Sequence, residues 1–165
     1  MESAIWGLVG TIVGAVASTG TSWLSSQNLL RLQNAKAGEE RAERANAFQR
    51  QTLLDLQEAI HDALRLINRA YIEDRNSHRI NKDWGTNTLT EEVNEGIRLA
   101  HRRVAILVER VSDDKLRTAV KTVMTLATQA VLSRSEREAE FHLEKTSSEA
   151  NQVLESLGTA LRSHY

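Results

Sequence analysis

The stretch LLDLQEAIHDALRLINRAY, residues 53–71, sets Leu53, Leu56, Ile60, Ala63, Ile67 and Ala70 at alternating steps of three and four. That spacing lines one face of a helix with apolar side chains, and Leu64 and Tyr71 widen the stripe. One helix is predicted from about Glu39 to Arg75. Its first part, Glu39 to Ala47, is rich in charge and poor in apolar residues, which reads as a solvated stalk. A striped helix cannot hide its apolar face by itself, so the stretch also predicts neighbouring helices.

Downstream, a long loop is expected over Asn76 to Thr88, which carries Asn76, Ser77, Asn81, Gly85 and Asn87. Thr88 with Glu91 reads as a capping box that opens a helix whose stripe is Val93, Ile97, Ala100, Val104, Leu107 and Val111. At Ser112-Asp113-Asp114 a hydroxyl and two acids signal a new helix start or a kink, because these groups cap free amides and favour the positive end of the dipole. Leu116, Val120, Val123, Ala127 and Ala130 follow as its stripe. Ser135 with Glu138 forms a second capping box, and Ala139, Leu143, Thr146, Ala150, Val153, Leu157 and Ala160 carry the last one.

Upstream, Ser3 through Leu30 is an uncharged run of 28 residues. Around a helix it sorts by size: Ile5, Leu8, Val9, Ile12 and Val16 share one face, and Gly7, Gly10, Gly14, Ala17, Ser18 and Thr21 share the other. Ala4 to Leu24 is long enough to cross a hydrocarbon core of about 30 Å. Trp6 and Trp23 fall where an aromatic belt sits, and the first basic residue, Arg31, flanks the far side. The expectation is a single-pass segment in the cytoplasmic (inner) membrane, N-terminus outside and the body in the cytoplasm. Its small-residue face would let a second copy approach closely in lipid. A cleaved signal peptide would call for a basic leading region, and the segment lacks one.

The expected fold is therefore all-α: an N-terminal transmembrane helix over 1–30, a charged helical stalk over 31–47, and an antiparallel bundle of three to four long helices over 48–165, with a kink near 112–114. Composition agrees. The chain has 165 residues, 26% of them charged and 4% aromatic, and no Pro, which favours long helices joined by few loops. A formal net charge of -1 argues against bulk attraction to nucleic acid. The absence of Cys removes disulfides, a thiol nucleophile and thiolate metal sites, and suits a reducing compartment.

Chemistry-bearing motifs are sparse. Glu58 with His61 has the spacing used in carboxylate-bridged metal bundles, but one such motif is not a site, and both residues point away from the apolar seam. Glu138 with His142 reads as a solvated helix face, as does the basic trio His101-Arg102-Arg103. No phosphate loop, nucleophile elbow or metalloprotease motif is present, so no enzyme activity, cofactor or metal is expected. One cluster rises above this background. Arg75, His78, Arg79 and Lys82 crowd the segment before Trp84, a patch that could receive an acidic partner or nucleic acid, although a helix end whose cations favour its dipole and whose Trp folds onto the bundle tip explains it better.

The glycine-spaced span (Ile5-Trp6-Gly7, Val9-Gly10, Val13-Gly14-Ala15), the Arg/Glu-rich stalk and the helical body broken at Ser-Asp-Asp together resemble small membrane-anchored helical proteins of bacteria, actinobacteria in particular. That resemblance implies an architecture and no activity. Residues 3–24 attached to a bundle also resemble the HeLo-like cell-death domains of fungi and their bacterial counterparts, which implies a first segment that permeabilises the membrane. Two functions are thus expected. The first is a non-catalytic, homo-oligomeric, membrane-anchored interaction protein. The alternative is a pore-forming effector or holin-like lysis or defence protein acting through its glycine-rich helix.

Overall fold

The computed structural model describes the backbone of residues 2–82, 84–85 and 89–164, and the side chains of residues 27–82, 84–85 and 89–164. Among them are four helices and no strand: α1 (Glu2–Asn81), α2 (Glu91–Val108), α3 (Asp114–Val131) and α4 (Glu136–Ser163). The chain divides into two compact units, Met1–Ala45 and Asn46–Tyr165. The first unit belongs to α1, and from residue 27 its side chains are exposed apart from half-buried Ala37. Among the described residues no helix is long and apolar enough to cross a membrane. Of the span expected over 1–30, residues 1–26, with Gly7, Gly10, Gly14, Ala17, Ser18, Thr21, Trp6 and Trp23, lie outside the described side chains, and Leu29, Leu30 and the flanking Arg31 are exposed.

The second unit is an antiparallel four-helix bundle. Near its end α1 meets the starts of α2 and α4, through Arg69 to Glu92 and Arg75 to Glu136, each at 3.0 Å. Nearer the start of the unit, Gln49 Nε2 donates to the Arg110 carbonyl at 3.0 Å and Arg50 donates to the His164 carbonyl at 2.6 Å. Those contacts fix α1 as antiparallel to both α2 and α4, while α3 packs against α4 and α2. The stripes meet in one core built from Leu, Ile, Val and Ala, with Leu56, Ile60, Val120 and Val123 wholly excluded from solvent. Thr146 is buried too, because its hydroxyl donates to the His142 carbonyl at 2.7 Å and so brings no unpaired donor into the core.

The helix ends differ from the sequence expectation in instructive ways. The helix does not end at Arg75; it continues to Asn81, since Asn76 and Ser77 are weak helix formers without being helix stops. The stop is Lys82, which adopts φ 63° and donates its backbone N–H to the His78 carbonyl at 2.8 Å, a left-handed cap usually given to Gly. Thr88, expected to open α2, lies outside the described residues, and the helix begins at Glu91. Thr90 precedes the first helical residue without any side-chain cap, and Glu91 and Glu92 face the positive dipole end instead.

At 109–113 the break is a complete turn rather than a kink. Asp113, not Ser112, caps α3, accepting from the Lys115 and Leu116 amides at 2.8 and 3.1 Å. Gln49 holds this turn from α1: its amide oxygen accepts from the Ser112 N–H at 3.2 Å while its nitrogen donates to Arg110. Ser135 accepts from the Glu138 amide at 3.2 Å, as a capping box requires, but Glu138 returns its bond to the Arg134 amide, one residue earlier than the motif prescribes.

Candidate functional site

The residues of the Arg75–Trp84 cluster gather at the loop end of the bundle, where α1 finishes and α4 begins. Arg75 is held by Glu136, and one turn earlier the Tyr71 hydroxyl donates to Glu140 at 3.0 Å. Trp84 is half-buried, its ring tilted at 5.9 Å from Tyr71 and edge-on at 5.7 Å from His78. Its indole N–H donates to the carbonyl of buried Ser133 at 3.0 Å. The loop can return this ring to the bundle because Lys82 and Gly85, at φ 63° and 71°, bend the chain on either side of it. Three of the five residues, Arg75, His78 and Trp84, are thus tied into the tip, whereas Arg79 and Lys82 stay exposed.

Between Tyr71 and His78 on α1 lies a polar anomaly that the sequence did not signal. Asp74, at the α1 position where the stripe after Ala70 would be apolar, is 9% exposed, and its Oδ1 has no hydrogen-bond partner among the described residues. Burial, and secondarily the charge of Glu73, push its carboxyl above the ordinary range. An acid whose pKa is raised in the folded state holds its proton more tightly there, so its contribution to stability is present at low pH. That contribution is lost as pH rises through the raised value. Asp74→Asn is therefore expected to stabilise the bundle at pH 7, by about 1 kcal/mol, with the gain shrinking toward pH 4; thermal melts at the two pH values check both the sign and the trend.

The remaining candidates fall apart as chemistry. Glu58 accepts from Arg103 of α2 at 2.9 Å, and Arg103 also approaches Asp62. His101 departs from the solvated trio expected of it: it is half-buried, its Nε2 is inaccessible and unpaired, and burial lowers its pKa. Among the described residues no group of three or more acidic or histidine side chains is placed to hold a metal ion. A cavity of about 630 Å³ opens at the opposite end of the bundle, bordered by Gln49, Leu53, Ser112, Glu155, Thr159 and His164. In its lining the Thr159, Ser156 and Ser163 hydroxyls donate to the Glu155, Gln152 and Ala160 carbonyls of their own helix. No protein-family model, curated protein or solved structure matches the chain.

Proposed function

We propose that this protein is a non-catalytic membrane-anchored scaffold, with its bundle in the cytoplasm, that self-associates along one face of α1. The observation that carries the reading is a register. From the small-residue face of the first segment, Gly7, Gly10, Gly14, Ala17 and Thr21, the alternation of three and four continues through Leu24, Asn28 and Arg31 to Ala35, Gly38, Ala42 and Ala45. Those last four are exposed, and a Cβ added at Gly38 would meet nothing within 4 Å. A glycine inside a helix costs about 1 kcal/mol relative to Ala, which is reasonable where another backbone must come close. A 3.5-residue period is the one that keeps two helices in contact as they wind about each other.

The chain has no Cys, so single cysteines report the contact directly. In membranes, Ala35→Cys, Gly38→Cys, Ala42→Cys and Ala45→Cys should oxidise to disulfide-linked dimers, and Gln33→Cys and Glu40→Cys, on the opposite face, at least tenfold less. Equal linking at every position, or none, would remove the argument for this face. Gly10→Leu and Gly14→Leu should weaken the dimer and Ile12→Leu should not. If dimers form along the stripe and the host loses its membrane potential only when the full chain is present, the same face belongs to a pore, the alternative role.

A further inference from the structure

Tyr71, Asp74 and His78 stand at steps of three and four on α1, so they share one face of the helix. The outer two are about 10 Å apart along its axis. The Trp84 ring lies 5.9 Å from the Tyr71 ring and 5.7 Å from that of His78, and one ring reaches both only by lying across the stretch between them. That stretch holds Asp74. The indole N–H donates to the Ser133 carbonyl, so the ring bridges the close of α1 and the chain that joins α3 to α4.

Two unfavourable features are built into this seat. Lys82, just ahead of the ring, holds φ 63°, a left-handed conformation that strains a residue with a Cβ. Asp74 is buried with Oδ1 unpartnered, which disfavours its charged form. Among the charged groups around it, the one that acts on its carboxyl is Glu73, of the same sign. On α1, Arg75 is held by Glu136, and the His78 Nδ1 is itself inaccessible and unpartnered. From α4 come Glu136 and Glu140, engaged by Arg75 and Tyr71; from α2 come Glu91 and Glu92, the second paired with Arg69. The end of α3, Thr125 to Val131, carries no ionisable residue, and Lys82 and Arg134 are exposed.

We infer that Trp84 is a proton-controlled latch: its ring stays on the Tyr71–His78 face while Asp74 carries a proton and leaves that face when Asp74 ionises. Linkage sets the direction. Seated, the ring keeps water from Asp74 and favours the neutral acid; released, it lets water solvate the carboxylate. The seated form therefore binds the proton more tightly, so seating is favoured at low pH and lost as pH rises past the value of the seated acid. Release also relaxes Lys82, and water replaces the bond between the indole N–H and the Ser133 carbonyl. The tip thus has two forms, one of which presents the indole to solvent. Every residue of the latch lies in the second unit, so the membrane reading does not enter.

The test uses the full chain in detergent with Trp6→Phe and Trp23→Phe, which leaves Trp84 as the single Trp. As pH rises from about 3 to about 8, its emission should shift to the red with a midpoint above the ordinary Asp value of about 4. Acrylamide should quench it at least threefold more efficiently at the upper end. Helical circular dichroism unchanged over the same range distinguishes release of the ring from unfolding. Asp74→Asn should keep the emission blue and flat, and His78→Gln, which removes the imidazole as a second titrating group, should leave the midpoint in place. Reciprocally, Trp84→Ala should lower the proton affinity of Asp74 at least threefold, followed by carbon NMR of labelled aspartate carboxyls. Emission indifferent to pH, a shift that persists in Asp74→Asn or vanishes in His78→Gln, or an Asp74 titration unmoved by Trp84→Ala would each overturn the latch.

Discussion

Ile60→Ala should lower the stability of the bundle by about 2–5 kcal/mol, the largest loss expected from any single truncation of its class. Ile60 is wholly buried and lies in the core cluster to which all four helices contribute. The surroundings explain why the loss should fall toward the upper half of that range. Its cluster is rich in Ala59, Ala63, Ala100 and Ala150, whose short side chains hold the helix backbones close together and leave little that can rotate into a new hole. Large aromatic residues, which could swing to fill it, sit outside this cluster. A total stability of 5–15 kcal/mol is ordinary for a domain, so a single such change removes a substantial fraction. Ile72→Ala, on the same helix but 54% exposed, should cost less than about 0.5 kcal/mol. Denaturant titrations of the two variants, followed by helical circular dichroism, check the contrast; equal midpoints would mean that the α1 stripe is not what holds the bundle.

The bundle was readable because its signals are periodic and redundant. Ile60, Ile67, Val104, Leu107, Val123 and Leu157, each picked out by spacing, are all buried. Six positions at a helical period outweigh any one misleading residue, and the acids after Ser112 mark a real helix start even though the capping oxygen comes from Asp113. What was not readable depends on contacts between residues distant in the chain. Gln49 looks like any solvated glutamine until the 109–113 turn is folded against it. That Trp84 folds onto the bundle tip was legible, but its acceptor, the Ser133 carbonyl, comes from a distant part of the chain and was not. His101 sits beside two exposed arginines, Arg102 and Arg103, and its burial is decided by the neighbouring helix rather than by its own segment. The end of α1 failed differently. Asn76, Ser77 and Asn81 each lower helix propensity a little, but a helix ends where a left-handed residue can satisfy the last carbonyls, and that residue was a Lys.

On the membrane reading, Val13→Arg should abolish insertion of the chain. The expected span is only moderately apolar: Thr11, Ser18, Thr19, Thr21 and Ser22 interrupt it, along with four glycines between Gly7 and Gly20. Such a segment has little insertion free energy in reserve. An arginine near the middle of a membrane helix costs about 2.5–3.5 kcal/mol on biological insertion scales, a factor of roughly one hundred in the partition between bilayer and water. The same substitution at Leu30, beyond Trp23 and next to Arg31, adds a charge where the interface already accepts one and should leave insertion unchanged. Carbonate extraction separates the outcomes: the parent chain and Leu30→Arg should stay in the membrane pellet, and Val13→Arg should move to the supernatant or to aggregates. Recovery of all three in the supernatant would sink the anchor and leave α1 as a wholly aqueous helix. The exposed Ala35, Gly38, Ala42 and Ala45 stripe would then be the surviving argument that a second copy of this helix covers it.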